Sequence, residues 1–543
     1  MGDVFKNSIN YSTIPVDPEE SSPPVNNRKK FHLIVGSILL VFTGSVIIGS
    51  LVLFGKKGLV PANKEQPRNV IMMISDGFGP ASETYARQYS TWLNKGPYKT
   101  LLPLDEIHVG HSRTQSSSSL ITDSAAGATA FACAQKSYNG AIGVYPDKKP
   151  CGTVLESAKL KGMLTGLVVT SRITHATPAS FSSHVAWRDW ENQIAEQQIG
   201  HTPLGRMVDL MFGGGSCEFL SNTTEGSCRA DDRDLFREAQ EQFGWNVRYG
   251  SREHLDVLDE NHAQLPLMAL FASDHMDYEM DRNPKEQPAL HEMVAKALAI
   301  LDKKSKEQNT GFFLMIEGSR IDMAAHTNDP AAHVHDILEY QHTAQLVKDF
   351  VDEHPHTVMI STSDHETGGF TAGRQVGEDY PEYKWNPDVI RRVQNSSEAL
   401  AAAWDQFVKK EKDVKAVEDH LKRIIESGLG IEDASEQEIE RIRAWEKSGK
   451  TVMDLAYLFA DMVSRRALIG WSTHGHTAVD VNLYAKGDGT EVLRGSHENT
   501  DIGDFIVDYL GLDLALVTEK LEDLSVESGE RLMESMKVTS YHH

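Results

Sequence analysis

The sequence predicts an α/β protein with a mostly parallel central sheet and helices on both faces, preceded by a single transmembrane helix. Three observations predict it. Short apolar runs alternate with longer amphipathic stretches, as strands and helices do in parallel sheets. Acidic and imidazole side chains recur directly after those runs. Near the N-terminus, residues Phe31 to Phe54 contain no Asp, Glu, Lys or Arg. The chain has 543 residues, 40% hydrophobic and 24% charged, enough to bury a large core. Its net charge of −24 argues against a nucleic-acid binder, which carries a basic face. The same charge repels anionic substrates at long range, so a local positive centre is needed to hold one.

Residues 1–30 are polar, with Pro15, Pro18, Pro23 and Pro24, and read as a cytosolic tail without a core of its own. Residues 31–54 reach about 36 Å as a helix, enough to cross a hydrocarbon core of about 30 Å. The run exceeds the roughly 7–15 apolar residues of a cleaved signal peptide, so a membrane anchor is the expectation. Arg28, Lys29 and Lys30 precede it and Lys56 and Lys57 follow, a bias that points the N-terminus inward. Residues 55–68 read as a linker, and 69–543 as one folded domain. Cys217 and Cys228 bracket a short loop that contains the acceptor Asn222-Thr223-Thr224, and Asn395-Ser396-Ser397 is a second acceptor. A disulfide and glycans both suit the side away from the cytosol. The pairing of Cys133 and Cys151 stays open.

Within the domain, Val70–Ile74, Leu164–Val169, Phe312–Ile316 and Thr357–Ile360 read as buried strands. The stretches 288–304 and 335–351 read as amphipathic helices, and 398–468, rich in Ala, Glu, Lys and Leu, as a helical insertion for packing or a lid. Three strands deliver chemistry to one edge: Ser75-Asp76-Gly77 after the first, Glu317 with Asp322 and His326 after the third, Ser363-Asp364-His365 after the fourth. Ligands of open α/β sheets bind beyond these carboxyl ends. One Asp after a strand is ordinarily a turn or cap residue, but three such deliveries coincide here. Asp322 and His326, spaced i, i+4, share a helix face, as two ligands of one ion or an ion pair would. Trp471-Ser472-Thr473-His474-Gly475-His476 adds two imidazoles before the strand-like 479–484. Mixed carboxylate and imidazole ligands suit zinc, or manganese or cobalt. Asp76, Thr177 and Glu317 form an all-oxygen group that suits magnesium. Asp123-Ser124-Ala125-Ala126-Gly127 places Ser124 at a helix N-terminus, as a nucleophile over an anion site or as a simple first-turn serine. Arg188 offers a fork to phosphate.

These motifs, with Thr174-His175-Ala176-Thr177-Pro178 and Ser363-Asp364-His365-Glu366-Thr367-Gly368-Gly369, resemble the metal-dependent alkaline phosphatases. The resemblance runs in order from about residue 68 to 510, and the anchor and tail make it most like the membrane-anchored fungal vacuolar members. It implies an alkaline-phosphatase-like fold and phosphate-monoester hydrolysis of broad substrate range. It also implies that Ser124 is phosphorylated at a centre of two Zn2+ and one Mg2+. Asp322, His326 and His476 would hold the first zinc, and Asp76, Asp364 and His365 the second. Asp76 would also bridge to magnesium, with Thr177, Glu317 and His175 at the third site. Arg188 would clamp phosphate. His476 is preferred to His474 because His476-Thr477-Ala478 resembles the family pattern. His175 stands where the best-known bacterial member has a carboxylate, which leaves magnesium or zinc open at the third site, and Met323 stands where it has Lys. The resemblance further implies a homodimer and a single-pass type II protein of the vacuole membrane with a lumenal catalytic domain. The competing classes are a phosphodiesterase or sulfatase and a non-catalytic ectodomain. Ser124 lacks the sulfatase setting Cys/Ser-x-Pro-x-Arg, and an intact ligand set argues against the ectodomain.

Overall fold

A computed structural model describes residues 66–524. The expected tail, membrane span and most of the linker lie outside the described residues. Among the described residues no helix is long and apolar enough to cross a membrane.

The strands are β1 (Asn69–Ile74), β2 (His108–Arg113), β3 (Leu164–Arg172), β4 (Leu210–Gly214), β5 (Asn246–Tyr249), β6 (Leu267–Leu270), β7 (Phe312–Glu317), β8 (Thr357–Thr362), β9 (Glu366–Thr367), β10 (His476–Thr477), β11 (Val481–Lys486) and β12 (Gly495–Glu498). Ten form one sheet in the order β12-β2-β11-β8-β1-β7-β3-β4-β6-β5, and β9 pairs with β10 apart from it. Within the ten, β11 runs antiparallel to both neighbours, β8 and β2, and the other pairings are parallel. The sheet is therefore mostly parallel, as an α/β chain of alternating strands and helices requires.

The central strands carry apolar runs on both faces because both faces are covered. Val70, Met72 and Ile74 pack on one side with Phe131, Ile502 and Ile506. Ile71 and Met73 pack on the other with Met293, Val334 and Val347. Strand alternation thus feeds two cores from one segment. Four helices carry or support the residues at the sheet edge: α1 (Ser124–Cys133), α2 (Leu290–Gln308), α3 (Arg320–His326) and α4 (Pro330–Glu353).

Residues 397–467 lie between β9 and β10 and carry the helices Ser397–Lys410, Val414–Lys422, Glu436–Trp445 and Val452–Ala467. Their Trp404, Ile442, Trp445 and Phe459 join the same core as Met73, so this segment packs as an extension of the domain. Disulfides link Cys133 to Cys151 and Cys217 to Cys228. The first ties the end of α1 to the loop beyond it.

Register sets the site. Ile74 lies opposite Glu317 in β7 and Thr362 in β8, and Val169 in β3 also lies opposite Glu317. The carboxyl ends of β1, β7 and β8 are therefore level, with β3 running on past them to Arg172, and the residues just beyond the three level ends meet in space.

Candidate metal centre

After β1 the chain turns sharply through Asp76 and Gly77. Gly77 has φ +72°, and a Cβ there would lie 2.6 Å from the Asp322 Cα. Only glycine lets this turn touch α3 so closely. Glu317 ends β7. Its Oε2 accepts from Ser319 Oγ at 2.6 Å and Ser171 Oγ at 3.2 Å. One turn of α3 separates Asp322 from His326, and His326 Nε2 lies 3.2 Å from Asp322 Oδ2. Thr367 Oγ1 donates to the other Asp322 oxygen at 2.5 Å. Asp364 and His365 lie between β8 and β9. The pairing of β9 with β10 sets His476 opposite Thr367 and so carries the last imidazole into the cluster.

The imidazoles are aimed by backbone carbonyls. His326 Nδ1 bonds the His474 carbonyl at 2.5 Å, and His476 Nδ1 bonds the Thr122 carbonyl at 2.9 Å. A nitrogen facing a carbonyl carries the proton, so both Nε2 atoms present lone pairs. Those two atoms lie 3.0 Å apart, and Asp322 Oδ1 is 3.7 Å from His476 Nε2. Two lone pairs and a carboxylate converging on one point repel one another unless a cation lies between them. His474 faces elsewhere: its Nδ1 bonds the His326 carbonyl at 2.8 Å and its ring stacks on Tyr457. The geometry favours His476.

His365 Nε2 lies 3.0 Å from Ser124 Oγ, 3.3 Å from Asp364 Oδ2 and 3.5 Å from Asp76 Oδ1. Three groups bring one ligand atom from each member within 4.8 Å of the others: Asp322, His365 and His476; Asp76, Asp364 and His365; Asp76, His175 and Glu317. Asp76 Oδ2, Glu317 Oε1 and His175 Nδ1 are buried without a hydrogen-bond partner. Buried polar atoms are normally satisfied, so the two carboxylate orphans mark positions that cations fit, whereas His175 Nδ1 carries the ring proton because Nε2 faces the Arg188 guanidinium.

The charges agree. Burial, then Asp364, Asp322 and Glu317, raises the Asp76 carboxyl well above its usual range. Burial pushes Asp364 up to about 7, with Asp322 and Glu317 adding to it. Burial also pushes Glu317 up to about 7 against the Ser319, Thr177 and Ser171 hydroxyls. Burial raises Asp322 too, but His326, His476 and His365 draw it well below the usual range. Burial, then His476, holds His365 well below its usual value, and burial lowers His476. Burial, with Arg188 and Arg172, does the same to His175. Burial lowers His326 too, but the Asp322 carboxylate raises it above its usual value, so three of the four imidazoles are held neutral, as ligands of a dication are.

Ser124 opens α1, its Oγ also 3.5 Å from Asp76 Oδ1. Asp123, not Ser124, caps the helix: its Oδ1 accepts from the Ala126 N–H at 3.0 Å. Its Oδ2 accepts from the Gly140 N–H at 2.9 Å and from Arg188 Nη1 at 3.2 Å. Arg188 Nη2 donates to His175 Nε2 at 3.1 Å. Ser124, Arg188, Asp322, His326 and His476 line a cavity of about 380 Å³, room for a small phosphate ester. Met323, at its edge, is joined by the half-buried Arg320, whose Nη1 lies 2.8 Å from the Met323 sulfur.

The residues singled out from the sequence, Thr177 beside Glu317 included and His474 excepted, thus meet at one strand edge. Sequence reasoning passes over Asp123 as a brace, although an Asp before a helical Ser is an N-cap signal. It also passes over Ser171, Ser319 and Thr367, which steady the carboxylates. Arg172, locked to Glu191 at 2.8 and 2.7 Å and lining the cavity, has no signal beyond its charge.

The alkaline phosphatase family model matches residues 67–512. The alkaline phosphatase of Schizosaccharomyces pombe is 46% identical over 515 residues, covering 94% of each chain. The repressible alkaline phosphatase of Saccharomyces cerevisiae is 44% identical and covers 93% of this chain and 92% of its own. Thermus thermophilus alkaline phosphatase superposes with a TM-score of 0.69 at 28% identity, covering 84% of this chain and 95% of its own. A histidine-to-glutamate variant of the alkaline phosphatase from the Antarctic bacterium TAB5, with Mg bound in its M3 site, superposes at 0.55 and 26% identity, covering 82% and 99%.

Proposed function

The chain belongs to the alkaline phosphatase family and is a phosphate-monoester hydrolase, and from that premise we propose that it works through a phosphoserine on Ser124 at a centre of two Zn2+ and one Mg2+. Asp322, His326 and His476 would hold one zinc, and Asp76, Asp364 and His365 the other. Asp76, Thr177 and Glu317 would hold magnesium, with His175 beside them. The TAB5 variant with Mg in its M3 site carries an engineered carboxylate in place of a histidine, which keeps zinc a candidate where this chain has His175. When bound, the cations supply positive charge for the phosphate oxygens and lower the pKa of a hydroxyl or water beside them.

The chain's own groups do the rest. Ser124 Oγ attacks phosphorus as the bond from phosphorus to the alcohol oxygen breaks, and its proton passes to solvent. The alkoxide that leaves takes a proton from water. The free N–H groups opening α1 face the phosphate oxygens. Arg188 turns its fork to two non-bridging oxygens. A water then attacks the phosphoserine and gives up a proton to solvent, Ser124 Oγ departs and takes one back, and two in-line displacements give net retention at phosphorus. Substrate range should be broad, because the groups that converge here address phosphate rather than the alcohol.

The observation that carries this reading is Ser124 Oγ at a helix start, 3.0 Å from one prospective metal ligand and 3.5 Å from another. Acid quenching with a labelled monoester should trap phosphoserine on the wild type only. Ser124→Ala should keep its zinc and lose at least about a thousandfold in turnover. Label on the alanine variant overturns the assignment.

We further read the protein as a homodimer anchored in the vacuolar membrane by residues 31–54, with its catalytic domain lumenal, on the family resemblance. Two disulfides and the exposed Asn222 and Asn395 support a non-cytosolic location. A glycosidase mobility shift on the membrane fraction tests it.

A further inference from the structure

Apart from the catalytic centre, two helices bring three ligating side chains together at the surface. His291 lies in the first turn of α2, and Glu339 and His342 lie one turn apart on α4. Glu339 Oε1 accepts from His291 twice, from Nδ1–H at 2.7 Å and from the backbone N–H at 2.9 Å. His342 Nδ1 approaches the other oxygen, Oε2, at 3.8 Å. The two rings lie tilted against each other at 31°, their centroids 4.1 Å apart. Two imidazole nitrogens on adjacent rings therefore address the two oxygens of one carboxylate, and a ligand atom of each residue lies within 4.8 Å of the others.

Two imidazoles and a carboxylate are a ligand set that zinc takes at about 2.0–2.2 Å, with water in the remaining position. His342 is 60% exposed and His291 28%, so an ion can enter and water can complete its shell. Glu292 and Glu279 act on His291 as well and add negative charge around it.

We propose that His291, Glu339 and His342 form a peripheral zinc site that staples α2 to α4. An ion there takes the place of the proton His291 now shares with Glu339. Because α4 packs on α3, which carries Asp322 and His326, the staple braces the helix pair behind the catalytic centre. The inference goes beyond the catalytic reading and does not depend on it.

The test uses the full chain, first dialysed with Zn2+ and Mg2+ to load the catalytic centre and then titrated with Zn2+ alone. The wild type should retain one Zn2+ per chain more than His291→Ala/His342→Ala, and its melting temperature alone should rise with the added zinc. Glu339→Gln, which can still accept the bonds from His291, should lose the ion too. Equal zinc content in all three proteins, or a zinc-dependent rise in melting temperature that survives the substitutions, overturns the proposal. The comparison is between variants, so it reads the same however many ions the catalytic centre holds.

Discussion

Arg188 is held between an anion and a neutral ring, Asp123 at 3.2 Å and His175 at 3.1 Å. Each occupies one terminal nitrogen, which fixes the plane of the guanidinium before any phosphate arrives. Arg188→Ala should therefore cost about 1.5–3 kcal/mol of phosphate binding, about ten- to a hundredfold in the phosphate inhibition constant. An unchanged constant removes Arg188 from the site. Arg188→Lys should restore only part of the affinity, because it carries the charge without the fork. Residues of this kind divide into legible and illegible. Asp76, Glu317, Asp364 and His365 could be read from position alone, each placed at or just after a strand. Choosing His476 over His474 needed a motif, and its physical basis, the Thr122 carbonyl holding Nδ1, is backbone geometry that no side-chain pattern records.

At the scale of elements, the turn that follows β1 is a close joint between the sheet edge and α3. Alanine at Gly77 meets a left-handed φ of +72° and the Asp322 backbone together. Gly77→Ala should lose about 1–3 kcal/mol of stability and displace α3 enough to weaken zinc retention. A variant with native melting temperature and native zinc content contradicts this account of the turn. The strands that build the joint were the readable ones: β1, β3, β7 and β8 each carry a buried apolar run, and the expected 479–484 begins two residues before β11. The polar or short strands escaped notice. His108–Arg113 and Gly495–Glu498 carry little apolar content, and Leu267–Leu270 is only four residues long. Their strand character comes from partners far away in sequence, such as Gly110 opposite Gly495. The pairing of Cys133 with Cys151 was likewise hidden, since it depends on where the loop after α1 returns.

For the molecule as a whole, the decisive quantity is charge buried where no lysine answers it. A chain of net charge −24 gathers Asp76, Glu317, Asp322 and Asp364, each at most 5% exposed, at the edge of its sheet. With cations this cluster binds the sheet edge, α1 and α3 together. Without them it pushes them apart, to a degree set by pH. Unfolded, Asp and Glu lose their protons near 3.8 and 4.5, whereas in the folded, metal-free protein Asp364 and Glu317 hold theirs up to about 7 and Asp76 also holds its proton well above the usual range. Between those limits these three carboxyls bind more protons folded than unfolded, while His365, His476 and His175, held below their usual 6.5, do the opposite at lower pH, so stability falls with rising pH chiefly between 6.5 and about 7. Chelation should therefore lower the melting temperature more at pH 8 than at pH 5, and readdition of Zn2+ and Mg2+ at pH 8 should restore it along with phosphatase activity. Thermal unfolding of chelated and reloaded protein at the two pH values measures this directly. Equal losses at both would mean that the four carboxylates are not the group the cations hold together.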